Sequence, residues 1–125
     1  MHNTDQGLII FADDDRLLRI LTEELLLGFG YRVLTAVNGE DAISLLENHK
    51  DDVFLAVLDI IMPKIDGINA AKKMRLLNSQ LPIIFLTGKD KHEYAKDLLD
   101  FNNHIVLSKP YSPEKLNEAI IKIIE

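Results

Sequence analysis

Short apolar runs of strand length alternate with segments of helical periodicity along the whole chain. The third run, from Val53 to Leu58, is apolar on both faces, as expected for a central parallel strand covered by helices. The alternation predicts an α/β fold in one domain: a doubly wound parallel sheet of five strands in the order 2-1-3-4-5, with five helices. The strands are predicted at 8–12, 31–36, 53–58, 83–86 and 105–107, and the helices at 16–27, 39–48, 67–77, 91–100 and 113–124.

Composition restricts the classes of function. The chain has 125 residues, is 47% hydrophobic and carries a net charge of −6. This length suffices for one core, which we assign to residues 7–125, after an N-terminal tail at 1–6. The negative charge argues against direct binding to nucleic acid or to an anionic membrane surface. With no cysteine, signal peptide or membrane-spanning run in the sequence, a cytoplasmic location is expected.

Acidic residues follow two of the predicted strands. Asp13, Asp14 and Asp15 close the first run, and Asp59 closes the third. In the predicted order these strands are neighbours at the topological switch point, so their ends bring several carboxylates together. One like-charged pair at roughly 5 Å costs on the order of 3 kcal/mol at an effective dielectric constant near 20. Such a cluster favours a hard divalent cation, Mg²⁺ or Ca²⁺. Asp15 is interpreted as the N-cap of the first helix in preference to a third ligand of the cation.

Two further strand ends supply a hydroxyl, a glycine and an ammonium group. Thr87 and Gly88 follow the fourth strand, and Lys109 follows the fifth, directly before Pro110. Because the carboxyl ends of parallel strands lie at one edge of a sheet, these groups are expected beside the acids. Their joint placement indicates a functional site.

In four segments the sequence resembles the receiver domain of two-component response regulators, which has a flavodoxin-like fold. The resemblance covers essentially the whole chain, in the family's order and spacing. The segments are Ala12-Asp13-Asp14-Asp15, Leu58 to Gly67, Leu86-Thr87-Gly88 and Lys109-Pro110-Tyr111. The resemblance implies a signalling domain that accepts a phosphoryl group, and not an enzyme.

The resemblance also implies roles for the acids. Asp59 is expected to take a phosphoryl group from a histidine kinase or a histidine phosphotransfer protein. Asp14, Asp59 and the backbone carbonyl of Ile61 would bind Mg²⁺, with Mn²⁺ as a substitute, and Asp13 would hold metal-bound water.

Three residues are expected to contact or surround the phosphoryl group. Thr87 would donate a hydrogen bond to one of its oxygens, and Lys109 would pair with another. Gly88 would leave space beside them. The peptide bond between Lys109 and Pro110 is expected to be cis.

The loop after Asp59 is expected to be shaped by Pro63, which fixes φ, and by Gly67, which permits a positive φ. Ile61 and Lys89 are expected to flank the path of the attacking water and to tune the lifetime of the phosphoryl group.

Two positions depart from the family pattern. Val106 stands where many receivers have a tyrosine or phenylalanine that moves inward on phosphorylation, and it carries neither ring nor hydroxyl. Asn102 and Asn103 replace a Gly-Ala pair, although asparagine tolerates the left-handed conformation. A modified output face is our hypothesis.

The first predicted helix has more leucine and isoleucine than one buried stripe needs. One hypothesis is that the excess docks a helix of the phosphodonor, and the alternative is packing within a tight core. The charge-neutral test positions are Leu18 and Ile20.

Three classes of function remain to be compared. A signalling receiver accounts for Asp14, Asp59, Thr87 and Lys109 together. An aspartyl phosphohydrolase would need an acid at position 61, where Ile61 stands. A receiver-like binding module that is never phosphorylated would not need the four residues.

A receiver could act alone, as a phosphorelay intermediate, or as part of a hybrid kinase or a larger regulator. The sequence names neither the kinase nor the output partner.

Overall fold

The five strands form one parallel sheet in the predicted order. A computed structural model describes residues 7–88 and 91–125. The sheet order is β2-β1-β3-β4-β5. Its strands are β1 (Leu8–Ala12), β2 (Arg32–Ala36), β3 (Val53–Asp59), β4 (Ile83–Thr87) and β5 (His104–Ser108). β2 and β3 lie on opposite sides of β1, so the strand order reverses between β1 and β3. The topological switch point therefore lies where it was predicted.

Each described α-helix begins at a side chain that caps its free backbone N–H groups. Asp15 accepts hydrogen bonds from the backbone N–H groups of Leu17 and Leu18, at 3.0 and 3.3 Å, which confirms its assignment as an N-cap. Asn38, Asp66 and Ser112 cap the following helices in the same way. The helices are α1 (Arg16–Gly28), α2 (Gly39–Asn48), α3 (Gly67–Leu77) and α4 (Pro113–Ile124). Within the described ranges no helix is long and apolar enough to cross a membrane.

Two apolar layers cover the sheet, and β3 is buried along almost its whole length, as its sequence predicts. On one side, α2 and α3 pack with residues such as Leu46 and Met74 against alternate residues of the central strands. On the other side, α1 and α4 contribute Leu26 and Ile120. A central strand buried on both faces holds its last residue, Asp59, in a fixed place.

The prediction of a fifth helix at 91–100 is wrong. Lys91–Tyr94 forms a single 3₁₀ turn, and irregular turns follow it, so the described residues contain four α-helices. Within 93–100, Leu98 is the one buried side chain, Tyr94 is half-buried and Leu99 is 79% exposed. A short helix depends on burying an apolar stripe, and this segment offers too few buried positions to stabilise one.

The turn before β5 is fixed from outside by Arg75 of α3. Its guanidinium donates hydrogen bonds to the carbonyl oxygens of Leu81, Asn102 and Asn103 at 2.7, 2.8 and 3.0 Å. It also lies 4.5 Å from the centre of the Phe101 ring. Asn103 has a φ of +49°, which confirms that asparagine here takes the left-handed conformation.

Candidate functional site

Three carboxylates meet at the carboxyl edge of the sheet. One oxygen atom from each of Asp13, Asp14 and Asp59 lies within 4.8 Å of the others. Asp13 and Asp59 are buried, with 0% and 5% exposure, whereas Asp14 is exposed. The parallel pairing of Ala12 with Leu58 produces this arrangement, since Asp13 and Asp59 are the residues that directly follow this pair. This cluster could bind a divalent metal ion, as the sequence predicted.

Lys109 completes the cluster from the end of β5. Its ammonium nitrogen Nζ lies 3.1 Å from Asp13 Oδ2 and 3.0 Å from Asp59 Oδ2. Its backbone N–H donates to the carbonyl oxygen of Thr87 at 2.7 Å, which anchors the base of the side chain to β4. One ammonium against three carboxylates leaves a formal charge of −2 at the site. A divalent cation would balance that charge.

Burial and the ion pairs act on the pKa values of the central pair. Burial raises the pKa of the Asp59 carboxyl above its ordinary value, against the hydrogen bond and charge of Lys109, which lower it. Burial works to lower the pKa of Lys109, but the hydrogen bonds and charges of Asp59 and Asp13 outweigh it, so that pKa is raised. Lys109 is therefore held in its charged form.

The loop after Asp59 is shaped by close packing and not by a left-handed glycine. Gly67 was expected to permit a positive φ, but its φ lies outside that region, and Lys64 instead has a φ of +70°. A Cβ at Gly67 would collide with the carbonyl oxygen of Asp59. The Gly67 N–H donates to the carbonyl oxygen of Ile60 at 2.8 Å. The absence of a side chain at Gly67 thus lets α3 begin directly against the end of β3.

Two other residues of this loop lie as follows. Pro63 accepts a hydrogen bond from the Ile65 N–H at 2.9 Å, in a tight turn. Ile61 is 57% exposed, and its backbone donates a hydrogen bond that lowers the pKa of Asp59. Lys89 lies outside the described residues.

Three of the predicted residues, Gly88, Lys109 and Pro110, line an apolar cleft of about 350 Å³. Thr87 is fully buried at the end of β4. Gly88 lines the cleft, and a Cβ there would meet no atom within 4 Å, so the expected space is present. The peptide between Lys109 and Pro110 is cis, as expected. Val106 is half-buried and packs against the core on the side of α3.

The sequence did not predict one contact near the site, a hydrogen bond between two hydroxyl groups. The hydroxyl groups of Thr22 on α1 and Tyr111 lie 3.1 Å apart, although the residues are 89 positions apart in the chain. Burial raises the pKa of the Tyr111 hydroxyl, which keeps it protonated. A local pattern could not reveal this pair, because the contact depends on how α1 lies across the sheet.

Fold and site together define a doubly wound α/β domain with an acidic centre, suited to a divalent cation, at its topological switch point. The family of the response regulator receiver domain matches residues 9–121, and the chain belongs to that family. It is a receiver domain of two-component signalling systems, and such domains interact with kinases and phosphotransfer proteins.

Curated relatives agree with this assignment. The alkaline phosphatase synthesis transcriptional regulatory protein PhoP of Bacillus subtilis (strain 168) is 37% identical over 117 residues, which are 93% of this chain and 48% of that protein. The response regulator SaeR of Staphylococcus aureus (strain USA300) is 32% identical over 108 residues, which are 86% of this chain and 46% of that protein. The chain spans about half the length of these relatives.

Solved structures share the fold. The receiver domain of the hybrid histidine kinase CckA is 29% identical, with a TM-score of 0.82 over 95% of this chain and 100% of that chain. A receiver domain protein from Clostridium thermocellum has a TM-score of 0.88 over 94% of each chain. At 23% identity, the second comparison supports the fold alone.

Proposed function

We propose that this domain accepts a phosphoryl group on Asp59 from a histidine kinase or a histidine phosphotransfer protein. The observation that carries the proposal is the buried Asp59 carboxylate, held 3.0 Å from the Lys109 ammonium beside two further acids. The domain acts as a phosphoacceptor and not as an enzyme that turns over an external substrate. The proposal includes a cytoplasmic location, where an ATP-dependent kinase would find its nucleotide.

The residues present fit a bound Mg²⁺, for which Mn²⁺ could substitute. Their clustered oxygens and the formal charge of −2 match a hard divalent ion. Asp14, Asp59 and the backbone carbonyl of Ile61 would hold it directly, and Asp13 would hold its water. When bound, the ion supplies positive charge to the transferring phosphoryl oxygens.

The side chains around Asp59 divide the transfer between them. An oxygen of Asp59 forms a bond to phosphorus as the bond between phosphorus and the donor imidazole nitrogen breaks, and the electron pair of that bond returns to the nitrogen. Negative charge on the equatorial oxygens is then matched by Lys109 and by a hydrogen bond from Thr87. Gly88 leaves room for the group, since its surroundings are open.

The outer face of α1 is the proposed docking surface for the donor. Leu17, Ile20 and Leu21 are 66%, 41% and 53% exposed, so packing within the core does not explain them. This face continues from the end of α1 that lies beside the acids. A helix of the donor covering it would bring the donor histidine towards Asp59.

Because the chain spans about half of its curated relatives, we propose that it serves either alone or within a larger regulator or hybrid kinase. We propose no direct contact with nucleic acid, given the net charge of −6. Val106 offers no ring, so the output face near β5 is proposed to respond differently from that of typical receivers.

Phosphoramidate is the direct test of acceptance, because its P–N bond resembles that of phosphohistidine. With Mg²⁺, the wild-type protein should become phosphorylated and Asp59→Asn should not. Asp66→Asn is the matched control, since asparagine also caps a helix and should leave labelling unchanged. Phosphate release from an added phosphate ester would indicate a hydrolase instead, and a folded protein that never becomes labelled would indicate a binding module.

A test of the docking surface requires a protein phosphodonor in addition to phosphoramidate. A panel of purified histidine phosphotransfer domains would supply one that phosphorylates the wild type. Ile20→Ser should slow transfer from that domain while leaving phosphorylation by phosphoramidate unchanged. Leu76→Ser on α3, where the leucine is 86% exposed, should change neither rate. Equal rates for Ile20→Ser and the wild type would refute docking on α1.

A further inference from the structure

The inner side of α1 carries a buried hydroxyl group in a helix rich in leucine. Thr22 is 3% exposed, and only Leu26 is also buried among the residues of α1. A buried hydroxyl needs a hydrogen-bond partner, and a threonine inside a helix commonly uses the carbonyl one turn earlier. Thr22 instead reaches out of its own helix to the hydroxyl of Tyr111 at 3.1 Å.

Tyr111 stands in the short segment that carries Lys109. The Lys109 backbone is tied on one side to the carbonyl oxygen of Thr87 at 2.7 Å. On the other side, two residues further along, the Tyr111 hydroxyl reaches α1. The segment is therefore held at both ends, and the Lys109 side chain projects from it to Asp59 at 3.0 Å.

The same stretch of α1 also touches the acids. Arg19, one helical turn before Thr22, donates a hydrogen bond to the carbonyl oxygen of Asp13 at 2.8 Å. Adjacent turns of α1 thus contact the segment that carries Asp13 and the segment that carries Lys109. Leu18, one turn before Thr22, lines the apolar cleft together with Tyr111.

We propose that Thr22 and Tyr111 are positioning residues, whose hydroxyl–hydroxyl hydrogen bond holds the Lys109 ammonium in line with Asp59 during phosphoryl transfer. The proposal rests on the proposed phosphoacceptor function. Neither residue touches the phosphoryl group; both act through Lys109. The position of the Lys109 ammonium matters because displacing a catalytic group by about 1 Å can slow a reaction on the order of a hundredfold.

The chain contains a matched control for this hydrogen bond. The hydroxyl of Tyr31 donates to Asn117 Oδ1 on α4 at 3.0 Å, which is also a tyrosine bridge between distant segments. Tyr31 lies before β2, at the opposite end of α1 from the acids. Tyr31→Phe therefore removes a comparable bridge without touching the segment that carries Lys109.

The test compares Tyr111→Phe, Thr22→Val and the double variant with Tyr31→Phe and the wild type. At saturating Mg²⁺, phosphorylation by phosphoramidate should slow on the order of tenfold in Tyr111→Phe and Thr22→Val. The double variant should be no slower than either, because both changes remove one bond. Thr22→Ser, which keeps the hydroxyl, should retain the wild-type rate. The Mg²⁺ concentration for half-maximal rate should not change.

A purely structural bridge would give a different result. Tyr111→Phe would then lower the melting temperature but slow phosphorylation no more than Tyr31→Phe does. Alternatively, the rate losses of Tyr111→Phe and Thr22→Val would add in the double variant. Either outcome overturns the proposal. If the wild type is not phosphorylated at all, the proposed function fails, but the NMR signal of Lys109 Nζ still tests the positioning. At neutral pH, the chemical shift of that signal should differ from the wild type in Tyr111→Phe and match it in Tyr31→Phe; no difference refutes the proposal.

Discussion

The connection between β1 and β2 and the connection between β4 and β5 both link parallel strands, yet they are built differently. The first contains α1, a regular helix of 13 residues that begins at the Asp15 cap. The second contains one 3₁₀ turn and a set of irregular turns that end at Phe101, where Arg75 holds the chain from outside. Within the described residues, the second connection is held by the buried Leu98 and by the contacts of Arg75 with Phe101 and Asn102.

The difference shows what a helix in this fold requires. α1 has a capped start, a left-handed Gly30 just after its end and a face on which Thr22 and Leu26 are buried and Leu25 packs against the core. The segment at 93–100 buries Leu98 and leaves Leu99 exposed, so continuous α-helix would gain little burial. We infer that the segment beside β5 is the less stable of the two, and this inference can be tested.

The largest effect is expected at Leu98, the main apolar anchor of the irregular segment. Leu98→Ala should lower the free energy of unfolding by about 3 kcal/mol, because it leaves a cavity next to the core on that side. Leu99→Ala, at a side chain that is 79% exposed, should change it by less than about 0.5 kcal/mol. Urea titration of both variants measures the difference. Equal losses would contradict the anchor.

Arg75 should rank second. Arg75→Ala leaves the carbonyl oxygens that it binds without that donor and removes its contact with Phe101, so we expect a loss of about 2 kcal/mol. Hydrogen exchange should quicken at the turn before β5 and stay unchanged in α1. Lys72→Ala, on the exposed face of α3, is the control. Exchange that quickens evenly over the protein would show that the two connections are not independent.

The cap of α1 should have a smaller effect. Asp15→Ala removes the acceptor for the N–H groups of Leu17 and Leu18 and should cost about 1 kcal/mol. Asp15→Asn keeps an acceptor and should cost little. Thermal unfolding of the three proteins would rank them, and an alanine variant as stable as the wild type would show that packing alone holds α1.

The smallest effect concerns pH. Because burial raises the pKa of Asp59, the folded state holds its proton more tightly than the unfolded chain, and ionising Asp59 destabilises the fold. Without Mg²⁺, Asp59→Asn should therefore melt at a higher temperature than the wild type at neutral pH. The gap should shrink as the pH falls through the acid range, where the wild-type carboxyl takes up its proton. A gap that is constant from acid to neutral pH would contradict the pKa shift.

Much of the fold and site follows from the sequence because a parallel sheet aligns its strand ends. Once β1, β3 and β5 are recognised, Asp13, Asp59 and Lys109 must lie at one edge. The irregular segment at 91–100 could not be predicted, because its helical periodicity is real but its burial depends on neighbours distant in sequence. The role of Gly67 could not be predicted either, because a side chain is excluded there only by the close approach of α3 to the end of β3.

The central claim is that Asp59 receives the phosphoryl group in a centre completed by a divalent cation. The most direct measurement is to treat the protein with phosphoramidate and Mg²⁺, reduce the acyl phosphate with borohydride, and locate the modified residue by peptide mass spectrometry. The account predicts modification at Asp59 that disappears when the metal is chelated. Modification at Asp13 or Asp14, or modification of Asp59 that is indifferent to the metal, would contradict it.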